Sequence, residues 1–200
     1  MTASGDEAAK RVAIREAARE LFRRYGVKKT SMREIAEHAG VAVGTLYLYY
    51  PGKDELVLAA VEGFRAEHDE AVREALASTA PAGEKLRTYL LHRFRASKAT
   101  RLGTPFAREV TEAVLRVAPD RLREEGATML QTIRRLLDEG ARRGELGLED
   151  AERDARVLLH AVAAAFPTAL SPVAREPEEG DLLELVDWFL RRWRERAEAR

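Results

Sequence analysis

Between Thr30 and Lys53 the chain gathers groups that donate hydrogen bonds to an anion: hydroxyls at Thr30, Ser31 and Thr45, phenols at Tyr47 and Tyr49, and the Lys53 ammonium. Nucleic-acid phosphates are held by this kind of mixture. The residues around these donors explain how they would be aimed. Ser31-Met32-Arg33-Glu34 has the form of a capping box and starts a helical run. That run ends at Gly40, which permits a left-handed turn residue. A second short run, Val43 to Tyr50, stops at Pro51-Gly52. Ile35, Ala39, Val41 and Leu46 have the spacing to bury the joint between the two runs. This is the sequence form of a helix-turn-helix, whose second helix enters the DNA major groove while the first crosses the backbone. Thr30 and Ser31 offer hydroxyls and backbone N–H groups at a helix N-terminus, where a phosphate fits. Ser31 either caps only or also meets a phosphate.

The elements that must position these groups read as helices throughout. Period-2 alternation is absent, so no strand is expected. The patterns predict helices over Asp6 to Tyr25, Ser31 to Gly40, Val43 to Tyr50, Lys53 to Ser78, Glu84 to Thr100, Pro105 to Leu115, Asp120 to Arg143, Asp150 to Leu170, and Asp181 to the C-terminus. Gly26 is the expected C-terminal cap of the first. Ser171 to Gly180, with Pro172 and Pro177, reads as a loop. Pro167 should kink the helix that contains it and free carbonyls near Ala163. The class is all-α, with about nine helices.

The last two helices look too apolar for one chain to cover. Val157 to Leu170 is apolar nearly all round. In the last helix Leu182, Val186, Phe189 and Trp193 form one stripe, widened by Leu183, Leu185, Trp188 and Leu190. A second copy, forming a four-helix bundle across a two-fold axis, would cover both. Leu158, Val162 and Ala165 join Leu182, Val186, Phe189 and Trp193 as the expected dimer contacts. Core packing within one chain is the alternative.

Composition narrows the function classes. No cysteine is present, which excludes disulfides, zinc–thiolate sites and thiol catalysis and fits a reducing cytoplasm. The four histidines (His38, His68, His92, His160) are dispersed, and no HExxH, GxSxG or phosphate-loop pattern occurs, so no enzyme, metal site or cofactor is expected. The opening residues lack the apolar core of a signal peptide, and the longest apolar run is too short to span a bilayer. The formal net charge is zero, but its distribution is uneven. From Lys10 to Lys53 ten Lys and Arg stand against four acids, a surplus of six positive charges that the rest of the chain cancels. A basic head on an acidic body concentrates phosphate attraction in one place.

The stretch from Ala9 to about Leu58 resembles the N-terminal domain of the TetR family of transcriptional regulators. The residues that carry the likeness are Ala17-Ala18-Arg19-Glu20-Leu21-Phe22, Tyr25-Gly26, Thr30 to Ala36, Ala39-Gly40-Val41, Gly44-Thr45-Leu46-Tyr47, Tyr50-Pro51 and Lys53-Asp54-Glu55-Leu56. The resemblance implies a DNA-binding domain over residues 1–55 and a helical effector-binding and dimerisation domain over 56–200. It implies phosphate clamps at Tyr47, Tyr49 and Lys53, a packing role for Tyr50, and base-facing positions at Val43, Gly44, Thr45 and Leu48. Lys53 begins a helix, where the dipole disfavours a cation, and this conflict with local stability favours a functional role. Arg33, Lys28 and Lys29 add backbone or groove contacts.

No Arg, Lys, Asn or Gln lies between Val41 and Tyr50, so bidentate contacts to guanine or adenine are unavailable from this helix. Modest readout is expected, with apolar contact to thymine methyls and a share from DNA shape. Ala42 stands where a hydroxyl residue often caps this helix.

The resemblance further implies a homodimeric repressor, released from a palindromic operator when a small molecule fills the C-terminal helices. Candidates for that pocket are Tyr89, His92, Arg95, Phe106, Met129, His160 and Phe166, with His160 foremost because its neighbours are almost wholly apolar. Ordinary packing is the alternative for each. A DNA-organising or partner-regulated protein with no small-molecule effector is the competing function.

Overall fold

The computed structural model describes residues 3–171 and 175–199, without the side chains of residues 3–4, 64–71 and 102. Pro172, part of the expected loop, lies outside the described residues. Among the described residues nine α-helices follow in order: α1 Ala3–Tyr25, α2 Met32–His38, α3 Val43–Tyr49, α4 Lys53–Ala77, α5 Ala82–Leu102, α6 Ala107–Val117, α7 Arg121–Arg142, α8 Ala151–Val162 and α9 Glu179–Glu198. A short 3-10 turn, Ala163–Ala165, follows α8, and no strand occurs among the described residues. The fold is all-α.

Local chemistry accounts for most helix ends. Gly26 leaves α1 with φ +85°, its N–H donating to the Phe22 carbonyl at 3.0 Å. Asp150 starts α8 by accepting hydrogen bonds from the Glu152 and Arg153 N–H groups. The end of α8 differs from expectation. A kinked helix through Pro167 was expected, but α8 stops at Val162, and Phe166 leaves the helical region with φ −119° and ψ 53°. Pro167 has no N–H for the Ala163 carbonyl and disfavours helical backbone at Phe166, so the helix terminates instead of bending.

The chain divides into two compact units. One comprises Met1–Glu67 with Ala99–Asp120, the other His68–Lys98 with Arg121–Arg200. The expected boundary near residue 55 lies inside α4; the unit that carries α2 and α3 also holds the first part of α4 and, from a distant part of the sequence, α6.

The first unit packs Ile14, Ala18 and Phe22 of α1 against Ile35 of α2, Leu46 of α3, Leu56 and Val57 of α4, and Ala113 of α6. The second unit packs Leu86, Leu90 and Phe94 of α5 with Ile133, Leu136 and Leu137 of α7. Leu158, Val162, Leu182, Val186 and Trp193 join this second core, each 2 % exposed or less. Five of the seven expected dimer contacts thus lie inside the chain's own core, while Trp188 of α9 and Val157 of α8 stay exposed. Each such side chain contributes about 1.5–3 kcal/mol by burial alone. Ala165 and Phe189 are half-buried against the same core.

Candidate nucleic-acid interface

The first unit builds a helix-turn-helix from α2 and α3. Ser31 caps α2 in extended conformation, its hydroxyl accepting from the Glu34 N–H at 3.2 Å. The Glu34 carboxylate accepts in return from the Ser31 backbone N–H at 2.7 Å. That backbone bond, seconded by the Ser31 hydroxyl, holds the Glu34 carboxyl below the usual range. Gly40 makes the turn with φ +68°, and the Val41 N–H closes it onto the Ala36 carbonyl at 3.0 Å. His38 Nε2 lies 3.0 Å from Glu20 Oε2, tying the end of α2 to α1.

α3 is held by one fully buried side chain, Leu46. Its N-cap, Ala42, makes no side-chain cap bond, as its missing hydroxyl requires. The opposite face of α3 is open. Leu48 is 84 % exposed and Tyr47 48 %, with Val43 beside them at 36 %. Gly44 is exposed, and a Cβ built on it would meet nothing within 4 Å. Thr45 is half-buried. Three large apolar side chains on one short solvent-facing helix, beside hydrogen-bond donors, form a surface suited to a partner.

The donors around this face differ in their freedom. Lys53 is half-buried, and its Nζ donates to the Thr30 carbonyl at 3.1 Å, at the entry to α2. An ammonium has three N–H groups, so this bond leaves others for a phosphate. The Thr30 hydroxyl is turned inward. Thr30 is 3 % exposed, and its Oγ1 donates to the Gly26 carbonyl at 2.8 Å. Its expected role as a hydroxyl contact is corrected to a structural one, because a buried donor already bonded at the α1 terminus does not reach a phosphate. Ser31 is exposed. Arg33 is exposed and pairs with Glu37 at 3.0 Å, a bond that water competes with readily. Lys28 and Lys29 are exposed between α1 and α2. Tyr49 and Tyr50 are half-buried against the core, which fits packing for Tyr50 and limits Tyr49 to contact through its exposed part.

Two features were not readable from the local pattern. Arg11 of α1 lies over the Tyr49 ring, 4.8 Å from its centroid, and brings a guanidinium to the end of α3. Helix α6 and the residues that lead into it brace the α1–α2 connection. The Thr104 hydroxyl donates to the Arg23 carbonyl at 2.9 Å, Glu109 accepts from the Lys28 N–H at 3.0 Å, and the Phe106 ring covers Gly26. Arg116 of α6 makes a bidentate pair with Asp54 at 2.6 and 2.9 Å, and its hydrogen bonds hold the Asp54 carboxyl below the usual range.

Six of the seven expected pocket residues lie in the second unit, in different surroundings. Phe106 stands in the first unit against Gly26, a place that its sequence neighbourhood did not reveal. Tyr89 and Met129 are buried in the core of the second unit, and Phe166 meets Phe94 edge-on with centroids 6.3 Å apart. Arg95 is exposed and donates twice to Glu179, at 2.8 and 2.7 Å, holding that carboxyl low. His92 is half-buried. His160 is exposed, because Leu158 and Val162 occupy the inward face of α8 and a residue two away from each points outward.

The all-helical fold and this motif define the class of helix-turn-helix transcriptional regulators. Residues 14–60 match the family described as bacterial regulatory proteins, tetR family. Over 156 residues the chain is 30% identical to the HTH-type transcriptional repressor BepR of Brucella suis, covering 74% of this chain and 75% of that protein. It is 40% identical over 63 residues to the HTH-type transcriptional regulator TtgR of Pseudomonas putida, which is 32% of this chain and only 30% of that relative's length. A solved transcriptional regulator from Cytophaga hutchinsonii shares the fold, with TM-score 0.69 at 19% identity over 90% of this chain and 96% of that one. The chain belongs to the TetR family of transcriptional regulators.

These relatives are transcriptional regulators. No described helix is long and apolar enough to cross a membrane, and no group of three or more potential metal ligands occurs among the described residues.

Proposed function

We propose that this chain is a homodimeric repressor that occupies a palindromic operator and leaves it when a small molecule binds to the helices of its second unit. The observation that carries the DNA-reading part is the open face of α3, where Leu48 is 84 % exposed beside Tyr47 and Val43. An apolar side chain so exposed gains nothing in the free protein and fits the thymine methyls of a major groove. Tyr47, Tyr49, Ser31 and Lys53 flank that face as phosphate contacts, with Arg33, Lys28 and Lys29 further out. The DNA is read mainly through apolar contact and shape.

The dimer reading rests on the faces of α8 and α9 that the chain leaves open. Trp188 is 50 % exposed and Val157 46 %, both much more than their neighbours in the core. A second copy would bury them, and a two-fold pair of heads would read an inverted repeat. The effector reading draws on the relatives and on Tyr89, Met129 and Phe166, which cluster about the core of the second unit.

Selection of sites from a random duplex pool by the full chain tests the reading. An inverted repeat with half-sites about one helical turn apart supports it. Salt-sensitive binding without a consensus would favour a DNA-organising protein instead.

A further inference from the structure

The first unit contains a cleft of about 770 Å³, a size typical of small-molecule sites. One wall is a stripe of α1, where Ala13, Glu16, Glu20 and Arg23 follow at helical spacing and so share one face. Val61 of α4 and Val110 of α6 supply apolar lining, and both are half-buried. His38 and Ala39 bring in the end of α2. All of these residues belong to the unit that carries the helix-turn-helix, apart from the effector site proposed for the second unit.

One charged group on this lining has no counterpart. Glu16 Oε2 lies 2.7 Å from Arg19 Nη2, and Glu20 Oε2 lies 3.0 Å from His38 Nε2, so each carboxylate already has its own donor. Among the described residues no carboxylate pairs with the Arg23 guanidinium. The Thr104 hydroxyl fastens the Arg23 carbonyl at 2.9 Å, which holds the root of that side chain at the edge of the cleft. A guanidinium offers five N–H donors in a fork that matches a carboxylate. Arg23 is exposed, and an exposed ion pair contributes little by itself. Apolar contact along the cleft would therefore supply most of the affinity, and Arg23 would select the charge.

We propose that this cleft binds a compact, largely apolar molecule that ends in a carboxylate. The carboxylate pairs with Arg23, and the apolar body lies along Ala13, Val61 and Val110. Because His38 and Ala39 line the site, its occupant touches the end of α2, next to the turn that sets α3.

The pair 2-naphthoate and 2-naphthamide tests this at neutral pH, since they share a flat apolar body and differ in one negative charge. Each is titrated into the ¹⁵N-labelled full chain while amide shifts are followed. The proposal expects saturable shifts at Arg23, Ala39, Val61 and Val110, with 2-naphthoate binding about fivefold tighter than 2-naphthamide. Arg23→Gln, at an exposed position that spares the core, should bring the two affinities together while leaving that of 2-naphthamide unchanged. Arg23→Lys keeps the charge without the fork and should retain part of the preference. Absence of saturable shifts, shifts confined to the second unit, equal affinity of wild type for the two probes, or a preference that survives Arg23→Gln would overturn the proposal.

Discussion

The Lys53 ammonium donates to the Thr30 carbonyl across 3.1 Å, joining the start of α4 to the entry of α2. One side chain thus braces the helix-turn-helix and presents a cation beside it. This dual position explains why a lysine sits at a helix N-terminus, where the dipole disfavours it.

Lys53→Ala should weaken binding to all duplexes alike and reduce the salt slope by about one. Tyr47→Phe should also weaken binding uniformly but leave the slope intact. Affinity measured against salt for operator and random duplex checks both. A change in base preference for Lys53→Ala would remove it from the phosphate contacts.

Gly26 turns with φ +85°, and a Cβ there would stand 2.8 Å from Phe106 Cδ1. Left-handed strain costs roughly 1–2 kcal/mol for a residue with a side chain, and the displaced ring adds to it. Gly26→Ala should therefore lower stability by about 2 kcal/mol or more, read from urea midpoints. An unchanged midpoint would mean that Phe106 does not pack tightly on this turn.

Two tryptophans on α9 separate association from folding. Trp193 is 2 % exposed and Trp188 50 %. Trp193→Asp should collapse the second unit, because it buries a charge in a packed core. Trp188→Asp should keep the helical circular dichroism and yield monomers by light scattering. A persistent Trp188→Asp dimer would place the interface elsewhere.

Acid behaviour follows from two aspartates of opposite sign. Hydrogen bonds from Arg116 lower the Asp54 carboxyl, so this pair stabilises fully above the ordinary aspartate range and loses its effect as pH falls through the depressed value. Wild type and Arg116→Ala should thus differ in urea midpoint at neutral pH and converge in acid. Burial raises Asp154, whose Oδ2 is buried without a hydrogen bond. There the folded state binds its proton more readily, and stability falls as pH rises from the ordinary aspartate value through the raised one. Asp154→Asn should remove that loss, leaving a midpoint that declines less over this window.

What was legible in the sequence was chiefly local. The Ser31–Glu34 box, the Gly26 and Gly40 turns and the uncapped Ala42 depend on residues a few positions apart, and each stands as read. Pro167 signalled a disruption, but whether α8 bends or stops depends on the backbone at Phe166. Non-local packing was not legible. Nothing near Phe106 shows that its ring lies over Gly26, and Arg11 reaches Tyr49 from far along the chain. The apolar breadth of α8 and α9 was visible, but the company that Leu158 and Trp193 keep in the core comes from distant residues such as Leu90, Leu137 and Leu148. His160 looked inward because of its neighbours' types, yet their spacing left it outside.

The most direct test of the account is a second site selection, with Leu48→Ala beside wild type. If α3 reads DNA through its open apolar face, the inverted repeat should persist while preference relaxes at one position in each half-site, by about 1 kcal/mol or more. An identical selected sequence for both proteins would contradict the account, because Leu48 would then read nothing.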